Sequence, residues 1–588
     1  MSQREPFEWV EFDIDYCTLS YGTGACTAVL GTTGVRKCYN MFANCQDQEN
    51  FDPGVKTVRI CSPTAAIPVG MDMFPALINV SASTATVNIG GSDANLSAFG
   101  RRGTINFTAR DFAYHDRFFD KYQAERISGA AQTDESGYDP AARGTIWAKL
   151  RARWPYYSGR PLRKCEGYID GGTLVTTKTR HFVFTEMAYD SVSGTLTGSG
   201  KDILDLADNK KAVAPQSSRG VLFNGINDQE TAITLAPAGI GDDEYPASGI
   251  ATIGSEMVSF TRTADAVTLT ERGLRGTEIR SHDADDNFQL SYSINLVRID
   301  AVIYDLLVNY AGIDPAFIPF ADWQSEVNRW ATNLLLSTDI PKPTGVATLI
   351  GEFAVLGASI WWDDVAQEIG LKMIRPVDGE PIFNLTDDSA LKALSIEDMD
   401  EDRITEISFS SVIVDPTRSA TDNDNFSREY YAVALLEKSP NAFRDTRRLK
   451  VVTRWLNQGD DRTVRITGRR LLNRLNTAPQ RLTCELDAKD DAIALTDVLN
   501  ITSRGAQDVT GKASAALWQV ISRKELRSGH DFEVKAQRYF YDGRFGYCME
   551  NDAPTYDAAS AEERETGNFA VDSTSLVFSD GTGPYEAI

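Results

Sequence analysis

Four cysteines, Cys17, Cys26, Cys38 and Cys45, follow one another in the spacing C-x8-C-x11-C-x6-C. The first interval, Thr18-Leu19-Ser20-Tyr21-Gly22-Thr23-Gly24-Ala25, is rich in glycine. The chain between the thiols can therefore turn sharply enough to bring all four to one point. Thiolates are soft ligands that suit zinc or an iron–sulfur cluster. Structural zinc sites usually use closely spaced C-x-x-C knuckles, and none occurs here. The ferredoxin spacings are missing as well. Residue types alone leave an iron–sulfur cluster, zinc, disulfides and free thiols open. A site closed by four thiolates has no open coordination position. It acts as a staple for a segment too small to build its own core, not as a reaction centre. Cys61, Cys165, Cys484 and Cys548 are scattered.

Other chemistry-bearing residues form no comparable pattern. The four histidines, His115, His181, His282 and His530, include no i, i+4 pair and no H-E-x-x-H, which excludes a zincin. A Cys–His nucleophile would need a third group to orient the base, and the sequence nominates none. Asp363-Asp364, Asp387-Asp388 and Glu397 to Asp402 are carboxylate runs of the kind that form solvated faces. Glycan cleavage needs two carboxylates held apart across a cleft, which adjacency in sequence does not supply. Asp422-Asn-Asp-Asn lacks the Gly and terminal Glu of a calcium loop. No phosphate-binding loop of the G-x-x-x-x-G-K type is present. Trp154-Pro-Tyr-Tyr, flanked by Arg151, Arg153 and Arg160, has the composition of a subunit interface.

These residues sit in a long acidic chain. Its 588 residues carry 83 Asp and Glu against 59 Lys and Arg, a formal net charge of -24. Such a chain lacks the positive footprint needed to grip nucleic acid by its phosphates, although it can line a passage through which a polyanion slides without sticking. With 42% hydrophobic residues the chain has the means to bury cores, so general disorder is excluded. Acidic residues interrupt the N-terminal stretch where a signal peptide needs an apolar run, and no window reaches the apolar length of a membrane helix. The expectation is a soluble protein made in a reducing cytosol.

The pattern along the chain is β-dominated α+β with several domains. The cysteine-rich segment occupies 1–62. Strand-like alternation fills 63–217, as at Ala85 to Ile89, Thr104 to Ala109, Thr145 to Leu150, Phe182 to Glu186 and Gly194 to Thr197. Within it, Phe118, Phe119 and Tyr122 mark a helical patch over 114–126. Short Thr-, Ile- and Val-rich runs in 218–294 predict an inserted β-sandwich. A small α+β domain spans 295–378. Its first helix carries Ile299, Val302, Ile303, Leu306, Leu307 and Tyr310 on one stripe and stops at Gly312. A second β block covers 379–547, with a helix over 464–475 and a hairpin turning at Arg527-Ser528-Gly529-His530. Residues 548–588 read as a C-terminal arm.

The cysteine module, with Tyr21-Gly22 between its first two thiols, resembles that of tail-tip and baseplate hub proteins of long non-contractile-tailed bacteriophages and gene transfer agents. Blocks further along resemble the same family: Phe99-Gly-Arg-Arg-Gly-Thr-Ile-Asn-Phe, Asp116-Arg-Phe-Phe-Asp-Lys-Tyr, Gly144-Thr-Ile-Trp-Ala-Lys-Leu, Lys201-Asp-Ile-Leu-Asp-Leu and Glu271-Arg-Gly-Leu-Arg-Gly-Thr-Glu. Each block is weak alone; their order carries the resemblance. It implies a [4Fe–4S] cluster on Cys17, Cys26, Cys38 and Cys45, with zinc as the alternative. It implies two tail-tube-like β-barrels and a homotrimer that adapts a six-fold tail to a three-fold tip and frames the DNA ejection channel. The implied partners are a distal tail protein, a tape-measure protein and a tail fibre or central tip protein. DNA would pass without specific binding, the chain would not enter a membrane, and its place would be the virion, assembled in the host cytoplasm. Two rivals stand beside this reading: a tail-associated glycan hydrolase, and a receptor-binding adhesin using the inserted block.

Overall fold

The computed structural model describes residues 5–29, 32–33, 38–68, 70–89, 97–121, 141–332, 334–375, 377, 380–434, 445–459, 461–476, 480–507, 510–527 and 529–538, with short strand segments at Phe545–Gly546, Val571–Asp572, Val577–Phe578 and Glu586–Ala587. The expected C-terminal arm lies almost wholly outside the described residues, as does the second half of the 114–126 patch. The described part of that patch is turn, not helix.

Strand Glu5–Cys17 alternates, so Val10, Phe12 and Ile14 point inward while Glu11 and Asp13 face out to Arg59 and Arg163. It pairs antiparallel with Pro53–Cys61 on one side and Pro161–Asp170 on the other. From Pro161–Asp170 the ladder runs through Thr173–Asp190, Thr195–Lys201 and Thr104–Arg110 to Leu77–Ser83. Phe74–Pro75, just before that last strand, lies parallel to Ile60 and Cys61. The segment 74–83 thus touches both ends of the ladder and closes it into a ring. Phe12, Ile105, Phe107 and Phe184 fill the interior. Gly198 and Gly200 make room for them: a Cβ on Gly198 would stand 2.3 Å from the Phe107 ring.

One end is plugged by helix Ile146–Arg153 and Trp154, whose indole stacks on Phe12 at 5.8 Å. This corrects the strand expected over Thr145 to Leu150. Ile146, Trp147, Leu150 and Trp154 share one helical face, and that face meets the core. The same packing corrects the reading of Trp154 as an interface residue, while Arg151, Pro155, Tyr156 and Arg160 of its cluster are exposed.

At the base of the ring, Asp202 accepts the Gly103 N–H at 2.6 Å with its other oxygen buried and unpartnered. Burial pushes its carboxyl up to about 6, against the pull of Arg102. Ionised Asp202 therefore weakens the fold above pH ~6, and the penalty, about 3 kcal/mol, disappears as pH falls toward the unfolded value near 4. Asp202→Asn keeps the acceptor. In urea unfolding it should be more stable than the parent near pH 8 and equal to it near pH 4; equal stabilities at both would refute the assignment.

The second β unit orders Ala393–Asp398, Gln480–Asp487, Asp531–Arg538, Ala513–Arg527 and Val498–Gln507 antiparallel. Ile382–Thr386 runs parallel to Val498–Gln507 at its edge. Leu482, Cys484, Val520 and Val534 lie in its core. It meets the first unit edge on: Lys524 pairs with Ser83, and the Val87 N–H donates to the Ile521 carbonyl at 2.8 Å.

Between the halves of this unit the chain leaves it. Glu406–Ile413 pairs with Phe426–Val433 and, in parallel, with Arg448–Val452, and helix Asp461–Leu475 packs against that sheet. Ile407, Phe409, Leu471, Leu472 and Leu475 join the core of the α+β unit. The block expected as one β domain over 379–547 is thus interrupted. The helical stripe finds its apolar complement in the α+β core, which sequence order does not reveal.

That core is built on helix Ile299–Asp305, a π turn Leu306–Tyr310, helix Phe320–Trp330, Val346–Leu356 and the hairpin Ala358–Asp363/Glu368–Met373. Gly312 at φ 71 ends the first helix as expected. No helix among the described residues is long and apolar enough to cross a membrane.

The inserted block, expected as a sandwich, is one six-stranded sheet in the order Val221–Leu222, Ala232–Ala236, Ala266–Arg272, Glu256–Thr263, Ser248–Ile253, Phe288–Leu290. Val221 bridges Asn287, and the Phe288 N–H donates to Gly220 at 2.9 Å, so its ends meet. Strands this short enclose a single core around Phe260 and Phe288 rather than two facing layers.

Three units converge on Arg180. From strand Thr173–Asp190 its guanidinium reaches Asp364 at 2.9 Å, in the hairpin turn of the α+β unit, and Glu525 at 2.6 Å, in the second β unit. Arg523 and Lys178 flank it, both bonded to Asp491. The group is charge-balanced, with Arg180, Asp364, Glu525 and Arg523 buried and Asp491 at its exposed rim.

Candidate metal centre: the four-cysteine loop

Cys17 ends its strand opposite Pro53, where the partner strand begins. The segment 18–52 is therefore the long loop of a hairpin in the first ring, not a unit set apart from it. The Cys17 N–H donates to Asn40 at 2.7 Å and the Thr18 N–H to Asp52 at 3.1 Å, closing the loop's neck. The Lys121 ammonium holds the turn after Cys17 by its carbonyl, at 2.8 Å.

Inside the loop, Gly22 and Gly24 both take φ 63, a left-handed turn that a side chain would resist. The turn aims the Gly22 N–H at Cys26 Sγ, 3.4 Å away. Asn40, at φ 62, directs its own N–H to Cys38 Sγ at 3.3 Å. The Asp47 N–H reaches Cys45 Sγ at 3.4 Å, and Asp47 is anchored in turn by the Thr27 N–H at 2.6 Å. Three of the four sulfurs are thus approached by backbone donors. Tyr21 Oη donates to Gln46 Oε1 at 2.7 Å, and Thr33 Oγ1 to the same oxygen at 3.4 Å, tying the first two inter-cysteine stretches to the residue after Cys45. Asp15 fixes the far side through the Phe42 N–H at 2.8 Å.

The thiols feel one another. Burial pushes Cys38 up to about 11, and the charges of Cys45, Cys17 and Cys26 would raise it further, against the Asn40 N–H. Cys45 is raised by burial, with Cys17 and Cys26 adding to it. All four are unbridged. Among the described residues no three His, Cys, Asp or Glu side chains are gathered at coordinating positions. The donor set fits a group that takes four thiolates and accepts N–H···S bonds, the chemistry of an iron–sulfur cluster or of zinc.

The other cysteines are core residues. Cys61 and Cys165 stand on either side of Trp9 in neighbouring strands, and burial pushes them up to about 11 and about 12. Cys484 is buried in the second β unit and raised to about 12. Cys548 lies outside the described residues. Of the histidines, His282 bonds buried Glu256 at 2.8 Å, beside Arg272, and His181 is tied to the Asp364 backbone. Asp363 caps its own turn, and Asp387 holds Ser503 and Arg504.

Solved structures similar to the chain include three tail proteins. They are the tail protein from Neisseria meningitidis MC58 (TM-score 0.34, 10% identity, 78% of this chain and 91% of that one), the 43 kDa tail protein of prophage MuSo2 from Shewanella oneidensis (0.32, 8%, 78% and 97%) and prophage tail protein gp18 from Listeria monocytogenes EGD-e (0.32, 10%, 78% and 87%). At these TM-scores the likeness assigns neither fold nor function. No protein-family model and no curated protein matches the chain.

Proposed function

We propose that this chain is the hub of a phage-type tail tip, a structural virion protein without catalytic activity. The observation that carries the reading is the edge-on joining of two β units, at Lys524 and Ser83, within one chain. Three copies would set six such units around a passage, reconciling a six-fold tube above with a three-fold tip below. The ordered sequence blocks support the same reading. Tripling a net charge of -24 would give a wall that repels DNA and lets it slide. The distal tail, tape-measure and fibre or central tip proteins would be its neighbours, and the two β units would serve as tail-tube-like barrels. Cys17, Cys26, Cys38 and Cys45 would hold a [4Fe–4S] cluster that pins the 18–52 loop to the ring, a role in shape rather than turnover.

Light scattering on the purified chain should give a mass three times 64.7 kDa. Removing the chain from producing cells should leave no assembled tails. A monomer whose loss spares tail assembly overturns the proposal. Tails that form but fail to adsorb when 218–294 is deleted would favour the adhesin. Release of reducing sugar from host envelope, lost on a single carboxylate substitution, would favour the hydrolase.

A further inference from the structure

We propose that Gln46 is a positioning residue of the four-cysteine site, donating its side-chain N–H to a sulfur of the bound cluster. The inference rests on the cluster reading above. Gln46 follows Cys45 directly, and its carboxamide oxygen is held by Tyr21 from the first inter-cysteine stretch and by Thr33 from the second. With the oxygen engaged, the orientation of Nε2 is set. That nitrogen is shut off from solvent and has no hydrogen-bond partner among the described residues. A buried donor left unpaired costs about 1–3 kcal/mol, so the site as built calls for an acceptor. Backbone N–H groups already serve Cys26, Cys38 and Cys45, and Gln46 supplies a further donor from a side chain.

A donor to a cluster sulfur stabilises the more negative, reduced state and so raises the reduction potential. Gln46→Met keeps the length and removes the N–H. Tyr21→Phe keeps the N–H and removes its clamp. Both variants and the parent, purified without oxygen as full chains, are followed by EPR during a redox titration. Gln46→Met should lower the one-electron equilibrium constant about tenfold, 59 mV, and Tyr21→Phe should shift it the same way by less. Unchanged potentials in both variants, with iron content equal to the parent, overturn the role of Gln46 and leave the cluster standing. A parent that carries zinc or no metal overturns the cluster reading and this inference together.

Discussion

Alanine in place of Arg180 should lower the unfolding free energy by about 3–5 kcal/mol, the penalty for stripping a buried ion group of one partner. Asp364 and Glu525 would remain, both buried, one in the α+β unit and one in the second β unit, with the cation that joins them gone. The loss should appear in urea unfolding as an early transition that separates the first ring from the other two units, because the group lies at their junction. Replacing Arg180 and Asp364 together by Met and Leu should restore most of the stability, since Glu525 then still pairs with Arg523 and Lys178 and no charge is left unpaired. A single alanine costing under about 1 kcal/mol, the range of surface pairs, would mean that the three units are held elsewhere.

Protein purified without oxygen should be brown and carry about four iron and four sulfide per chain. Serine at Cys17, Cys26, Cys38 or Cys45 should bleach it and open 18–52 to protease, because few apolar side chains of that loop are buried and nothing else replaces the staple. Cys484→Ala, deep in another core, should leave the colour intact. A colourless preparation with about one zinc per chain would remove iron from the assignment and leave the four ligands in place.

Local pattern was a good guide wherever one face decided the outcome. The stripe from Ile299 to Tyr310, the alternation of Thr104 to Ala109 and the hairpin around Gly529 are all where spacing puts them. Pattern failed where a partner was remote. Thr145 to Leu150 satisfies alternation and a helical face equally well, and only the ring's open end selects the helix. Ring closure in the inserted block depends on Val221 meeting Asn287. The allegiance of 404–475 depends on a core assembled mostly from earlier residues. Arg180 and its two carboxylates lie 184 and 345 residues apart in sequence, so no motif announces them. Gln46 carried no signal of its own; a glutamine beside a cysteine is ordinary until its oxygen is seen to be taken.

The parallel pairing of Ile382–Thr386 with Val498–Thr502 sets an order on synthesis. The first ring holds all its strands once residue 201 has left the ribosome, so it can fold while the rest is still being made. The edge strand at 382 must instead wait, unpaired, until its partner at 498–502 has emerged behind the whole 400–476 excursion. During that interval it is an open template for any neighbouring chain, and in a polysome neighbours are close. Slowing translation once residue 386 has left the ribosome should therefore increase aggregation of nascent chains, whereas a pause once residue 201 has left it should be harmless.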